Sequence, residues 1–449
     1  MKQRTFKHGI HPARDGKAYT KDAPIQEYRA TGQAVYPLSQ HIGAPAKAIV
    51  AVGDEVKVGQ MIAEADGFVS VPICGAVSGK VKAIEPRLTI NGRKVPCIVI
   101  ENDGAFTPID TLGQERDPRG MTKEAILAAI RDAGIVGQGG AGFPTHVKLT
   151  MKEGVSPDTV IINAAECEPY LTSDYRLMLE QPDKLLAGLQ VVLQLFNTAR
   201  GVIAIENNKP EAIRLLTEKT AAYDRIEVCS LKTKYPQGGE RMLIHAVTGR
   251  DIHSKKLPID AGCVVLNVST VVSIDNAVRY QIPQISTVMT LTGDGMNTPC
   301  NVAVPTGTSH AELVEAFGGL KEGVKKIVSG GPMMGQAMTD LNVPVVKTSS
   351  SVLAMLNDEV AEWEPSPCIR CGRCVRACPS FLVPAMMGKV ADAGDLAAYE
   401  ALNGMECIEC GCCTYVCPAK RRLTQSFKFA KTAINDARKR AKASADAKQ

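Results

Sequence analysis

The sequence predicts a multidomain protein of the α/β and α+β classes, and three observations support this. The chain has 449 residues, 45% of them hydrophobic, enough for about three or four domains with their own cores. Its hydrophobic pattern changes along the chain from the period of strands to that of helices. Nine of its fifteen cysteines lie between Cys368 and Cys417. This composition excludes a disordered or fibrous protein.

An arm and a β-rich domain are predicted first. Residues 1–30 are rich in proline, glycine and charge, which is typical of an extended arm. Residues 31–105 alternate valine and isoleucine with other residues and are interrupted by regularly spaced glycines, a pattern that indicates a β sandwich. It resembles the lipoyl/biotinyl carrier fold. The hairpin tip that bears the carrier lysine in that fold holds Gly67 here, so we expect no carrier function.

An α/β domain is predicted for residues 120–257. A helical pattern begins after Thr122 and buries Ile126 and Ile130 on one face. Strand segments at 159–164 and 202–205 then alternate with helical segments at 182–196 and 210–222, which is typical of βα units on a parallel sheet. Residues 258–335 contain short strand segments at 264–268, 287–292 and 301–304 and a helix at 309–317. These predict a small β-grasp module.

The strongest motif is a repeated cysteine pattern, C-x₂-C-x₂-C-x₃-C-P. Three closely spaced thiolates can bind three irons of a [4Fe-4S] cluster, while the fourth cysteine reaches the neighbouring cluster. The sequence therefore predicts a helical, bacterial-ferredoxin-like domain with two [4Fe-4S] clusters at residues 350–428. The predicted ligands are Cys368, Cys371, Cys374 and Cys417 for the first cluster, and Cys407, Cys410, Cys413 and Cys378 for the second.

Zinc is the alternative interpretation of clustered cysteines. Zinc sites need four ligands and normally use two C-x₂-C pairs, so two runs of four with trailing prolines favour iron–sulfur clusters. Cys412 is surplus to the ligand sets and is predicted to pack. The other six cysteines are scattered and are predicted to be small buried hydrophobic residues; they are Cys74, Cys97, Cys167, Cys229, Cys263 and Cys300.

A second motif is a glycine-rich loop followed by a lysine. It contains Gly137, Gly139, Gly140 and Gly142, with Phe143 next and Lys148 just beyond. Because the loop follows a helix, it is not the strand-led dinucleotide fingerprint. Glycines allow backbone N–H groups to approach a phosphate or a planar ring, and the lysine can supply a charge. Taken alone, such a loop is more often simply flexible.

Polar groups follow the next predicted strand, at the strand end where open α/β sheets bind ligands. They are Asn163, Glu166 and Glu168, and two later segments contain Gly238, Gly239, Glu240 and Asn267. Each alone is consistent with a turn or a surface acid. In this order, with the glycine loop, they resemble the NADH-oxidising flavoprotein subunit of respiratory complex I, where such segments surround FMN and NADH. Ala165 and Gly239 stand where that family has acids.

The whole layout, over about residues 5 to 430, is similar to the C component of the Rnf (Rsx) electron-transport complex. The resemblance implies a peripheral flavo-iron–sulfur subunit of an ion-translocating NADH:ferredoxin-type oxidoreductase, on the cytoplasmic face of a bacterial inner membrane. Implied partners are a ferredoxin-like iron–sulfur subunit and integral membrane subunits that move Na⁺ or H⁺. Implied cofactors are non-covalent FMN and two [4Fe-4S] clusters, with NAD(H) as substrate.

The resemblance also implies roles for the site residues. FMN would lie on the glycine loop, Glu166 and Glu168 would position ribose or nicotinamide, and Lys148 and Asn267 would hold phosphate or flavin edges. A hydride carries two electrons and each cluster accepts one, so a flavin is needed between them. No general base is required, because hydride transfer depends on placement. Two alternatives are a soluble flavoprotein subunit of an NADH-linked oxidoreductase or hydrogenase, and a non-catalytic iron–sulfur relay.

Charge and hydropathy bear on location. No uncharged apolar run reaches the roughly 18 residues of a membrane helix, and the first residues lack the apolar segment of a signal peptide, so we expect a cytoplasmic protein. Residues 420–449 carry ten Lys/Arg against Asp436 and Asp446. This predicts a basic tail at 429–449 that is a solvated helix end or contacts anionic lipid or an acidic partner. No nucleic acid is expected as a partner.

Overall fold

The computed structural model describes residues 3–446, so the last three residues of the predicted basic tail and the first two of the arm lie outside the described part. The arm contains a short 3₁₀ helix, Lys17–Tyr19, and the strand β1, Ile25–Glu27. It is held along its length by other parts of the chain: Arg4 bridges to Leu231 and Ile10 to Tyr235. The arm therefore links the modules that follow.

The second module is the predicted β sandwich. Its strands are β2 (Ala34–Pro37), β3 (Lys47–Ala48), β4 (Glu55–Val56), β5 (Met61–Glu64), β6 (Ile73–Cys74), β7 (Gly79–Leu88) and β8 (Lys94–Asn102). They form an antiparallel sheet in the order β2-β8-β7-β4 and a second sheet in the order β3-β5-β6. Tyr36, Ile62 and Ile98 are fully buried between them. Gly67 has open space around its Cα, as a hairpin tip should.

The third module has a parallel sheet in the order β11-β10-β9-β12. The strands are β9 (Thr159–Ala164), β10 (Arg200–Glu206), β11 (Ile226–Leu231) and β12 (Cys263–Asn267). Its helices are α1 (Lys123–Asp132), α2 (Thr145–Leu149), α3 (Ser173–Glu180), α4 (Pro182–Gln194), α5 (Pro210–Thr220), α6 (Glu240–Thr248) and α7 (Val268–Tyr280), with 3₁₀ turns at Pro118–Gly120 and Pro258–Ala261. Thr122 caps α1 by accepting from the amide of Ala125 (3.2 Å).

The fourth module is a mixed six-stranded sheet in the order β1-β14-β13-β17-β15-β16. It comprises β13 (Ser286–Thr292), β14 (Cys300–Pro305), α8 (His310–Ala316), β15 (Lys326–Ser329), β16 (Gln336–Ala337) and β17 (Ser351–Met355), completed by β1 of the arm. Met289, Leu291 and Val302 are fully buried in its core.

Two strands lie in other sheets than the predicted boundaries imply. β12 falls within the predicted β-grasp module, yet Cys263 pairs with Thr159 in the parallel sheet. β17 falls within the predicted ferredoxin-like domain, yet it pairs with β13 and β15. Strand partners are distant in sequence, so a local pattern that identifies a strand does not say which sheet it joins.

The last module is helical. It contains α9 (Glu359–Glu362), α10 (Arg373–Ala377), α11 (Pro384–Asp392), α12 (Leu396–Ala401), a 3₁₀ turn at Gly404–Glu406, α13 (Cys412–Tyr415) and α14 (Leu423–Asp446). Met387, Tyr399 and Phe427 form its core. α14 carries most of the predicted basic tail, and its first turns are packed rather than solvated, since Ile434 is buried. Within residues 3–446, no helix is long and apolar enough to span a membrane.

Candidate functional site

Three of the predicted segments meet at the carboxyl edge of the parallel sheet. Asn163 near the end of β9 lies opposite Asn267 at the end of β12, because parallel strands end at the same edge. The side-chain amide of Asn163 donates to the carbonyl of Gly238 (2.9 Å). The amide of Gly238 donates in turn to the Sγ of Cys167 (3.2 Å). Cys167, predicted to be a buried hydrophobic residue, is half-buried and belongs to this edge.

The glycine loop lies against the start of α7. The amide of Gly137 donates to the carbonyl of Phe143 (2.9 Å), which closes the loop, and the amide of Gln138 donates to Thr270 on α7 (2.9 Å). Gly139 has a φ of +70°, and a Cβ there would lie 2.9 Å from the side-chain nitrogen of Asn267. Gly140, in contrast, would meet no atom within 4 Å. The loop is therefore anchored on one side and open at Gly140.

Asn267 and Lys148 have partners within the chain. The Oδ1 of Asn267 accepts from the amide of Ser269 (2.8 Å) and caps α7, and its Nδ2 donates to Asp174 (2.6 Å). The ammonium of Lys148 donates to Glu240 (3.0 Å) and to the carbonyl of Val265 (3.0 Å). The Lys148–Glu240 pair is partly exposed, so its net stabilisation is small. A bound anion could compete with Glu240 for this lysine.

Glu166 has a buried carboxylate with one unused oxygen. Its Oε1 accepts from the amide of Asp174 (2.7 Å). Its Oε2 has no hydrogen-bond partner among the described residues and lies 3.9 Å from the ammonium of Lys17. Burial raises the pKa of Glu166 to about 7, and the charges of Lys17 and Lys209 act against that rise. The free oxygen can accept a hydrogen bond from a hydroxyl or an amide of a bound ligand.

Glu168 reaches a different module. Its Oε1 accepts from the amides of Met333 (2.7 Å) and Met334 (3.0 Å), in the loop that precedes β16. Burial raises the pKa of Glu168, and these two amides act against that rise. A Cβ at Gly331 in the same loop would lie 1.9 Å from the Glu168 side chain, so only glycine fits there. Glu168 therefore fastens the edge of the parallel sheet to the six-stranded sheet.

Two buried lysines that the motifs did not indicate hold the segment after β9. Lys17 of the arm donates to the carbonyls of Glu166 (2.9 Å) and Glu168 (3.1 Å). Lys209 donates to the carbonyl of Ala165 (2.6 Å) and lies 3.8 Å from Glu206. Burial lowers the pKa of Lys209. No local sequence signal marks either residue, because each acts through backbone atoms that are distant in the chain.

The second cysteine set lines one pocket. Cys378 lies there together with Cys407, Cys410 and Cys413, and the pocket volume is about 340 Å³. The pocket thus brings the last cysteine of the first run to three cysteines of the second run. Four thiols around one cavity fit a [4Fe-4S] cluster.

The first cysteine set is more open. Cys368 and Cys371 are exposed, whereas Cys374 and Cys417 are half-buried. Burial raises the pKa of Cys374 and the neighbouring Cys417 adds to the rise, so these two thiols lie close together. In the described part of the chain, no three His, Cys, Asp or Glu side chains are grouped as ligands of a single metal ion. Ligands of a four-iron cluster bind different irons.

The pocket of the second set adjoins the edge of the parallel sheet. The hydroxyl of Tyr235, a buried residue, donates to the carbonyl of Cys410 (2.8 Å). Cys412 is also buried and packs with Tyr235 and Ile10 of the arm. A Cβ at Gly411 would lie 3.1 Å from the carbonyl of Met333, the residue bound by Glu168. The second cysteine run therefore lies beside Tyr235 and Glu168.

Four family descriptions match successive parts of the chain. "RnfC Barrel sandwich hybrid domain" matches residues 4–105 and "Nuo51 FMN-binding domain" matches residues 130–276. "SLBB domain" matches residues 288–337 and "4Fe-4S dicluster domain" matches residues 362–418. The predicted fold class, with its sandwich, flavin-type domain, β-grasp module and two-cluster domain, is confirmed.

Curated relatives align along nearly the whole chain, and each is the C component of its complex. That of the proton-translocating ferredoxin:NAD(+) oxidoreductase complex of Clostridium ljungdahlii is 43% identical, covering 98% of this chain and 96% of the relative. That of the Na(+)-translocating ferredoxin:NAD(+) oxidoreductase complex of Acetobacterium woodii is 41% identical (97% and 98%). That of the ion-translocating oxidoreductase complex of Rhodobacter capsulatus is 39% identical (97% and 84%).

Among solved structures, the chain aligns with a chain of an NAD⁺-reducing [NiFe]-hydrogenase in the air-oxidized state. The TM-score is 0.49 at 21% identity, covering 65% of this chain and 60% of that chain.

Proposed function

This chain belongs to the family of C components of ion-translocating ferredoxin:NAD(+) oxidoreductase complexes, and from that premise we propose that it exchanges electrons between NADH, FMN and two [4Fe-4S] clusters. The observation that carries the proposal is the meeting of two sites. The edge of the parallel sheet, with its open glycine loop, adjoins the pocket lined by four cysteines through Tyr235 and Cys410.

FMN would be held by the glycine loop at residues 137–142 and by the residues around it. FMN, when bound, supplies the exchange between a two-electron hydride and single electrons. The open side of Gly140 leaves room for a planar ring or a phosphate. The free Oε2 of Glu166 would accept from a hydroxyl or an amide of the flavin or of NADH. Asn163, Gly238 and Asn267 would line the same edge.

The site requires accurate placement rather than a base. Hydride transfer occurs when the two reacting groups are held close together, and fixed geometry supplies much of the rate. Lys17 and Lys209 keep the segment after β9 in position through its carbonyl oxygens. Glu168 would position the site indirectly, since one of its oxygens is bound to Met333 and Met334. Lys148 would bind a phosphate if the anion displaces Glu240.

Electrons would leave the flavin through the buried second cysteine set. Cys407, Cys410, Cys413 and Cys378 would bind the cluster beside Tyr235, and Cys368, Cys371, Cys374 and Cys417 would bind the cluster nearer to solvent. Ion transport would then belong to membrane subunits of the complex, which this chain would join as a peripheral subunit on the cytoplasmic face.

The test is Gly140→Val in the full chain, reconstituted anaerobically with FMN, iron and sulfide. A valine there fills the open side of the loop, so we expect loss of bound flavin while about eight irons per chain remain. Gly120→Val is a matched control, because Gly120 also meets no atom within 4 Å and has no positive φ. Flavin content and bleaching of the flavin band by NADH are the measurements.

Each outcome has a definite meaning. If Gly140→Val keeps full flavin, the cofactor lies elsewhere. If the parent chain binds both clusters but no flavin, the non-catalytic relay is correct. If NADH bleaches the flavin of the parent and of Gly120→Val but Gly140→Val has none, the proposed site is supported.

A further inference from the structure

The two cysteine runs differ in their surroundings, and the difference defines a surface. We call residues 366–378 the first cysteine loop and residues 405–417 the second cysteine loop. Arg370, Arg373 and Arg376 stand between the cysteines of the first loop and are all exposed. The corresponding positions of the second loop hold Glu409, Cys412 and Tyr415. Only the first loop is both open and basic.

The positive charge continues onto the neighbouring segment. The amide of Ser366 donates to the carbonyl of Ala419 (3.0 Å), which joins the first loop to the residues after Cys417. Lys420 and Arg422 in that segment are exposed. Among the described residues, none of the three loop arginines, Lys420 or Arg422 forms an ion pair with a carboxylate. Five cations without acidic partners thus surround the first cysteine loop.

Exposed apolar side chains lie among these cations. Ile369 is 66% exposed, Phe381 is 64% exposed and Met386 is 56% exposed. Isolated exposed apolar residues are ordinary, but here they flank two exposed cysteines, Cys368 and Cys371. One side of the surface is limited by the arm, because the ring of His8 packs edge-on against Phe381.

We propose that this surface, the first cysteine loop with Lys420 and Arg422, docks an acidic iron–sulfur protein that exchanges single electrons with this chain. This rests on the proposed function, because it takes the first loop as the outer electron port. A partner with carboxylates around its own cluster complements five free cations, and the apolar side chains supply a dry centre for the contact.

The electron count is complete for such a partner. Each encounter moves one electron across the surface. Two encounters supply the pair that, with one proton, converts one NAD⁺ to NADH at the flavin site, and two molecules of reduced partner are oxidised. The second cysteine loop cannot serve as this port, since Cys410, Cys412 and Cys413 are buried.

The test uses the full chain with flavin and clusters, and an acidic ferredoxin as probe. The variant is the triple charge reversal Arg370→Glu, Arg373→Glu and Arg376→Glu. The matched control reverses three exposed lysines of the β sandwich, Lys57→Glu, Lys80→Glu and Lys94→Glu, which changes the net charge equally. Two quantities are measured: binding of oxidised ferredoxin by calorimetry, and the stopped-flow rate at which reduced ferredoxin is oxidised without NAD⁺.

We expect the arginine reversal to slow ferredoxin oxidation by about tenfold or more at low ionic strength, the size of effect that electrostatic steering produces. The difference should narrow in high salt, where charges are screened within a few ångströms. Calorimetric binding should weaken in parallel, and the lysine control should stay near the parent. Iron content and bleaching by NADH should be unchanged.

Because the arginines lie between cysteines, Arg370→Gln, Arg373→Gln and Arg376→Gln is measured as a milder second triple. It should retain iron and give a smaller effect with the same salt dependence. Equal rates in the arginine and lysine triples overturn the docking surface. Loss of binding to phosphatidylserine vesicles with unchanged ferredoxin rates also overturns it and assigns the surface to a membrane. Failure of NADH to bleach the parent's flavin refutes the proposed function instead, because ferredoxin oxidation without NAD⁺ reads the docking surface alone.

Discussion

The two cysteine loops share a backbone and differ in almost everything around it. Each cysteine of the second loop lies 39 residues after its counterpart, and the left-handed residues match as well: Arg370 and Glu409 have φ values of +56°, and Gly372 and Gly411 precede the short helices α10 and α13. The first loop faces solvent, whereas the second is enclosed by the flavin-type domain, the arm and α14.

The difference teaches that one motif can serve two positions in an electron path. The cysteine spacing sets which atoms can bind a cluster. The residues between the cysteines decide what lies outside it: a buried Cys412 allows close packing against Tyr235, and an exposed Arg373 at the same position leaves a charged surface. We propose that the second loop faces the flavin and the first loop faces the partner.

Crossing of the fourth ligand gives the largest expected effect. Cys378→Ser should remove the cluster of the second loop, and Cys417→Ser should remove that of the first, with about four irons left in either variant. Under the proposed order, Cys378→Ser also blocks the exit of electrons from the flavin and Cys417→Ser does not. Iron analysis and EPR of the reduced chain are the measurements. Loss of the first-loop cluster in Cys378→Ser would contradict the crossing.

Exchange of residues between equivalent positions tests the comparison directly. Cys412→Arg places a charge in the buried contact with Tyr235 and Ile10, which should cost several kcal/mol and separate the second loop from the flavin-type domain. The reverse exchange, Arg373→Cys, changes an exposed position and should leave the melting temperature within about a degree of the parent. Thermal unfolding followed by cluster absorption decides this. Equal destabilisation by both variants would mean that the two environments are alike.

The hydrogen bond across the junction has a smaller expected effect. Tyr235→Phe leaves the buried carbonyl of Cys410 without its donor, which costs about 1 to 3 kcal/mol. Tyr415→Phe is the control, since Tyr415 is half exposed and its hydroxyl accepts from the amide of Ala13 (2.9 Å). We expect Tyr235→Phe to alter the EPR signal of the second-loop cluster and to lower the melting temperature. An unchanged signal would place that cluster away from Tyr235.

The weakest expected effect is the pH dependence of Glu166. Burial raises its pKa to about 7 in the folded chain, against roughly 4.3 in an unfolded one. Between these values the folded chain holds a proton that the unfolded chain has lost, so stability falls as pH rises, by at most about 1.4 kcal/mol per unit. Glu166→Gln should remove this slope and leave both cluster signals unchanged. Melting temperatures of parent and variant at pH 5 to 7 measure it, and parallel curves would refute it.

Much of the fold and part of the candidate site follow from local patterns. The predicted strand at 159–164 and the helix at 182–196 agree closely with β9 and α4, because period and flanking prolines are local properties. Glu168 was predicted as a direct ligand contact, and its carboxylate is bound to Met333 and Met334. Lys17 has no motif, because its partners are carbonyl oxygens about 150 residues away.

The sequence by itself determined the chemistry of this protein: the cysteine spacing specifies two clusters, and the ordered glycine and carboxylate segments specify a flavin-type site, since these are properties of short segments. Tertiary structure alone decided how the parts are connected. It placed β12 and β17 in their sheets, brought Lys17 under the segment after β9, and enclosed one of two equivalent cysteine loops. Those features depend on contacts between residues far apart in the chain, which no local pattern encodes.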